Sequence, residues 1–228
     1  MEHSLQMKAA IQTQDARMRL ICRKYGVENV LDHITRPCFD TNQHYHNQLH
    51  CTVVARWCHD LLALDDSFAT PYDYRLLLAA ALFHDFGHDG ISSDDKQIEV
   101  AVTNAQAFLS SSHCDFSGLD VFRICELIEV TQYDGNMKFH REPKSLLEQI
   151  IRDADLMQVL EPNHIEMVLD GLRLELSQKV DREMSRADFC KGQVYFMQNV
   201  ELFTPQAKHI YAAATPAIIA SFKAATFG

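Results

Sequence analysis

The chain has no apolar run of about 18 residues, the length that a membrane-crossing helix needs, so a bilayer span is excluded. Its first residues, MEHSLQMKAA, lack a basic segment followed by an apolar stretch, so no secretory leader is expected. The seven cysteines (positions 22, 38, 51, 58, 114, 125 and 190) are odd in number, scattered, and never spaced C-x-x-C. That argues against a disulfide framework or a zinc ribbon and for reduced thiols in a cytoplasmic protein. Basic charge is short: 21 Lys and Arg against 31 Asp and Glu leave a net charge of −10. A nucleic acid duplex or an anionic membrane is held mainly by Lys and Arg, so neither is an expected partner. A small phosphate ester stays open, because a bound metal can hold one. Glycine (8) and proline (6) are sparse, and strand-like alternation is hard to find.

Helical periodicity is what fills the length. The expected helices are about 5–25, closed by Gly26; 47–64, with Leu49, Val53, Val54, Trp57, Leu61 and Leu62 at helical spacing; and 74–86. Pro71 and Asp73 introduce the last of these, and Gly87 and Gly90 break it. Its run LLLAAALF is apolar on every side, which predicts a central, fully buried helix. Further helices are expected near 94–110, 118–131, 144–159, 163–179, 185–203 and 205–224, with an irregular stretch at 27–44 and loops at 110–118 and 134–143. Hydrophobic residues make up 47%, enough for a substantial core, and no linker divides the chain. The expectation is all-α: one domain over 1–228, a compact bundle of about eight or nine helices.

The twelve histidines are unevenly spread. His44, His46, His50 and His59 fall within sixteen residues, and His84 and His88 follow on the apolar helix. His46 and His50 stand four apart, so in a helix they share a face; His84 and His88 repeat the spacing, with Asp85 beside the first. A buried imidazole is costly unless its nitrogens are satisfied. Taken singly, such histidines read as core residues bonded to backbone carbonyls. Two pairs and an aspartate on the most buried helix read as a metal site.

Tyr45-His46-Asn47-Gln48-Leu49-His50 matches the Y-H-N-x-x-H signature of cyclic nucleotide phosphodiesterases. His84-Asp85-Phe86-Gly87-His88-Asp89-Gly90 resembles their H-D-x-D-H-P-G segment, and its His-Asp pair names the wider HD superfamily of metal-dependent phosphohydrolases. Ala154-Asp155-Leu156 resembles the A-D-L that supplies the last metal carboxylate of that superfamily. The motifs come in the family's order over roughly residues 45–203. The resemblance implies an HD/phosphodiesterase-like bundle in which His50, His84, Asp85 and Asp155 ligate a first divalent ion. Asp85 would bridge to a second ion, and His88 would lie near that ion or its waters. Two imidazoles and two carboxylates suit Zn, Mn, Fe or Mg. A hydroxide held between two cations is nucleophilic at neutral pH, which makes Asp85 catalytic as well as a ligand.

Asp153 rivals Asp155; two apart on a helix, they point in nearly opposite directions. The apolar face (Leu147, Ile150, Ile151, Ala154) does not separate them, and the resemblance selects Asp155. His46 falls on the family's general-acid position, where an imidazole near pKa ~6.5 can protonate a leaving alkoxide. The competing reading has His46 only capping or packing against the helix start. The same signature implies Tyr45 and Asn47 as substrate-binding residues. His44 and His59 read as structural.

Gln193-Val194-Tyr195-Phe196, with Val200, Leu202 and Phe203 beyond a one-residue gap, resembles the Q-x-x-F helix with which these phosphodiesterases hold the purine. It implies Gln193 and Phe196 as the base clamp; an amphipathic helix with Phe196 in the core fits the same spacing. The chain departs from the family at Gly87 (usually aspartate), Asp89 (usually proline) and Val53 (commonly aspartate). Neither the alarmone-hydrolase H-D-x-x-E-D nor the cyclic-dinucleotide H-D-x-G-K pattern fits better. The expected function is a cytoplasmic phosphohydrolase acting on a small nucleotide or phosphate ester, first a 3′,5′-cyclic nucleotide. A 5′-nucleotidase-like phosphomonoesterase is second. A non-catalytic nucleotide sensor is third, although a sensor would have lost ligands and all four are present. A homodimer is compatible with each reading.

Overall fold

The computed structural model describes residues 16–36, 45–65, 69–133, 140–162 and 164–225. His44, most of the loop expected at 134–143 and the expected start of the first helix lie outside the described residues. Among the described residues the fold is helical, with no β-strand. Helix α1 (16–24) ends at Gly26, whose φ of 70° lets the Val27 amide reach back to Cys22 O at 2.8 Å, a closure suited to glycine. Then come α2 (Glu28–Ile34), α3 (Gln48–Leu64), α4 (Pro71–Phe83), α5 (Asp94–Leu109), α6 (Gly118–Glu129) and α7 (Leu146–Met157). After a 3-10 turn (Gln158–Leu160) follow α8 (His164–Met167), α9 (Arg173–Lys179), α10 (Arg186–Asn199) and α11 (Pro205–Ala225).

Local chemistry sets the starts. Thr70/Asp73, Ser117/Asp120 and Ser145/Glu148 form reciprocal capping boxes at α4, α6 and α7, and Pro71 occupies the first turn of α4, where it forfeits no helix bond. Leu76 to Phe83 are all buried, and α2, α3, α5, α6 and α7 pack around this helix. The central buried helix expected from LLLAAALF is borne out. Buried side chains from Met18 to Phe222 form one contiguous cluster. No helix among the described residues is long and apolar enough to cross a membrane.

Three expectations need correction. The stretch at 27–44 is not wholly irregular: α2 forms because Val30, Leu31 and Ile34 bury one face. The helix expected at 163–179 runs without a break over 164–179 but is not uniform. Between α8 and α9, Val168–Leu172 make a wider π turn in which the Arg173 amide bonds Val168 O. Finally, α4 stops at Phe83, so His84 is its C-cap and His88 lies beyond Gly87, whose φ is 88°. His84 and His88 therefore do not share a helical face.

Candidate active site

The C-terminal end of α4, the N-terminal end of α3 and the last turn of α7 meet at one point. His50 on α3 and His84 are 2% and 1% exposed, and their Nε2 atoms face each other at 3.0 Å. Asp85 Oδ2 lies 2.9 Å from His50 Nε2 and 3.3 Å from His84 Nε2. Asp155 Oδ1, from α7, lies 3.4 and 3.7 Å from the same two nitrogens. Burial disfavours a charged His84, but Asp85 and Asp155 outweigh it and hold the ring protonated well above the ordinary imidazole range. Burial also opposes ionised Asp85, and the histidines overcome it, keeping the carboxyl well below its usual range. Such a cluster demands positive charge, which a proton or a metal cation can supply.

His46 precedes α3 rather than joining it, because Asn47 is the N-cap and its side chain accepts from the Leu49 and His50 amides. The helical pairing expected of His46 and His50 therefore fails, although the chain bend still brings their rings to 5.6 Å. His46 Nδ1 is 2.6 Å from Glu175 Oε2 on α9. The other carboxylate oxygen accepts from the Tyr45 amide at 2.6 Å and the His46 amide at 3.2 Å, so Glu175 clamps both ring and backbone. Burial pulls the His46 pKa down, but the Glu175 bond and the Asp85, Glu175 and Asp155 charges carry it above the usual value. The His88 ring stacks on His46 with centroids 4.0 Å apart. Burial, then the charge of His46, lowers His88 to about 4. The Gly90 amide donates to its Nδ1 at 3.0 Å, so a neutral His88 carries its proton on Nε2 and can donate from there. A His46–His88–Glu175 group lies close enough for a metal.

These residues open into a cavity of about 690 Å³ whose walls include Tyr45, Asp155, Gln193 and Phe196. Gln193 and Phe196 line the same cavity as His50, Asp85 and Asp155, with Phe196 edge-on to Tyr133 at 6.3 Å. Asn47, expected to touch substrate, is not on that wall and is engaged as a helix cap. Asp153 is fully buried and accepts from the Phe203 and Thr204 amides and the Thr204 hydroxyl at 2.6–2.8 Å, anchoring the start of α11. His59 sits away from the cavity, against Tyr25 and Tyr74. Sequence reasoning missed Glu175, Gln158 and His164; each lies on a helical stretch whose pattern marks nothing but a helix.

A family model described as 3′5′-cyclic nucleotide phosphodiesterase matches residues 45–161, more than half of the chain. The chain belongs to this family. As a member it is a metal-dependent phosphodiesterase that hydrolyses phosphoric esters. A search of curated proteins returns no match. Among solved structures, the fold is similar to the phosphodiesterase domain of the RhoPDE fusion protein from the choanoflagellate Salpingoeca rosetta. That match has a TM-score of 0.69 and 16% identity, and covers 96% of this chain and 90% of that one. A second structure, of the phosphodiesterase domain of the Salpingoeca rosetta rhodopsin phosphodiesterase, gives 0.67 and 16%, covering 92% and 86%.

A phosphodiesterase uses divalent metal, and the donors present here fit one: two imidazole nitrogens and two carboxylate oxygens converge on one another within 2.9–3.7 Å. Gly87 sits in tight surroundings. A Cβ there would come within 2.9 Å of Val100 Cγ1 and 3.0 Å of Asn104 Nδ2, at a φ that side-chain-bearing residues avoid. An aspartate at this position would have to displace Val100 and Asn104 and adopt a strained backbone. Asp89, in place of proline, instead ties the loop together by accepting from the Ile91 and Ser92 amides at 2.9 and 2.8 Å.

Proposed function

We propose that the chain, as one domain over 1–228, converts a 3′,5′-cyclic purine nucleotide to its 5′-monophosphate, with His46 as the general acid. The observation that carries this reading is the 2.6 Å bond between His46 Nδ1 and Glu175 at the edge of the metal-type cluster. With Nδ1 held by a carboxylate, the ring stays protonated and Nε2 is the atom free to give a proton. As the oxygen of a water, giving up a proton, bonds to phosphorus and the P–O3′ bond breaks, the His46 proton passes to the 3′ oxygen, so no free alkoxide has to leave. His50, His84, Asp85 and Asp155 would hold one divalent ion, and Asp85 has a second oxygen for another, whether Zn, Mn, Fe or Mg. Cations bound there would supply positive charge to the phosphate and lower the pKa of a water. His88 donates from Nε2 towards a phosphate oxygen or a water. Gln193 offers the base edge a donor and an acceptor, and Phe196 offers its face.

A substrate panel tests the reading. Purified protein loaded with Mn²⁺, Mg²⁺ or Zn²⁺ should convert cyclic purine nucleotides to 5′-monophosphates and leave the monophosphates intact. Turnover of 5′-monophosphates without turnover of cyclic esters would replace this proposal with a phosphomonoesterase.

A further inference from the structure

Gln158 opens the 3-10 turn after α7 and is 1% exposed. We propose that it is the positioning residue that sets the ring tautomer of His50 and thereby prepares the site for a cation; this rests on the reading of His50 as a metal ligand. Its side-chain oxygen accepts from the Tyr45 hydroxyl at 3.1 Å and from His50 Nδ1. An amide oxygen has no proton to give, so both hydrogens point at it. A neutral imidazole with its proton on Nδ1 keeps a lone pair on Nε2, the atom that faces Asp85 and His84. His84 would be left in the same tautomer by another route once a cation displaced its Nε2 proton: its Nδ1 faces the Ala81 carbonyl of its own helix at 2.8 Å. That carbonyl belongs to the backbone of α4 and survives any side-chain change. The tautomer of His50 depends instead on one replaceable side chain, 108 residues away.

The buried amide nitrogen of Gln158 has no partner in this orientation. An unmet donor costs stability, so the orientation holds only while the two bonds at the oxygen outweigh it. Turned over, the amide would donate to Nδ1 and drive the His50 proton onto Nε2, into the space that a cation needs.

Zinc titration by calorimetry of the wild type, Gln158→Leu, Gln158→Glu and His84→Ala tests this, together with ¹⁵N shifts of the His50 ring in the zinc-loaded wild type. Gln158→Leu should lose about 10–100-fold in zinc affinity, the usual cost of removing a group that orients a metal ligand. Gln158→Glu, which keeps the acceptor, should retain the affinity. The ¹⁵N shifts need no variant to fold and should show His50 protonated at Nδ1. Unchanged affinity in Gln158→Leu, or a deprotonated Nδ1 in the loaded wild type, overturns the proposal. Equal zinc binding by the wild type and His84→Ala would instead overturn the metal-ligand reading itself, and this proposal with it.

Discussion

Glu175 makes His46 more than a histidine near a phosphate. It fixes Nδ1, aligns the ring through two backbone bonds, and raises the ring's pKa against the pull of burial. His46→Ala should lose about 10²–10⁴-fold in kcat on a cyclic nucleotide while still binding metal, the range expected for removal of a general acid. On bis-nitrophenyl phosphate, whose leaving group departs without a proton, the loss should be much smaller; equal losses would make His46 a positioning residue. The sign of the pH dependence follows from the raised pKa: the acid form persists above the ordinary imidazole range and is lost as pH rises through the raised value. Glu175→Gln should therefore move the alkaline limb of the kcat profile to lower pH, and an unmoved limb would separate Glu175 from the proton donor. Asp153 and Asp155 divide along the same line of contacts. Asp155→Asn should lose most metal affinity. Asp153→Asn should bind metal within a few-fold of wild type yet melt earlier, because three donors around the start of α11 lose a charged acceptor worth about 1–3 kcal/mol.

At the level of elements, α8 is one turn long and carries a histidine for which sequence reasoning had no use. His164 is 2% exposed, both ring nitrogens lack partners, and its ring meets Phe222 of α11 edge-on at 6.0 Å. Burial lowers its pKa to about 3. The unfolded chain takes a proton near pH ~6.5 while the folded one refuses it, so folding stability falls as pH drops from about 6.5 towards 3. The slope contributed should approach about 1.4 kcal/mol per pH unit. Thermal melts of His164→Phe between pH 7 and pH 4 should show a shallower decline than wild type, and parallel curves would refute the assignment. The loop after α4 is constrained differently. Gly87→Asp, which restores the family's usual residue, should destabilise rather than improve the enzyme, because its Cβ meets Val100 and Asn104 at a φ of 88°. A variant as stable as wild type by thermal melting would refute the steric account.

For the whole molecule, α3, the end of α4 and α7 bring His50, His84, Asp85 and Asp155 together, so an ion bound there would join parts of the chain a hundred residues apart. Chelation should abolish turnover and lower Tm, and re-added divalent metal should restore both, since a ligand that binds only the folded state stabilises it by mass action. An unchanged Tm would mean that these helices need no metal to pack. The sequence by itself determined the helical class, the burial of 76–83 and which imidazoles and carboxylates, at 50, 84, 85 and 155, would converge. Each follows from local periodicity or from a short motif whose chemistry demands those side chains. Only the tertiary structure decided that Asp153 anchors α11, that His88 stacks on His46 instead of pairing with His84, and that Asn47 is a cap. It alone brought Glu175 to His46, just ahead of α3, and Gln158 to His50 in its first turn. The physical reason is that a helix pattern records which face is buried, not which distant side chain it is buried against; Glu175 in RLELSQK reads like any exposed glutamate until α9 packs its carboxylate beneath Tyr45 and His46.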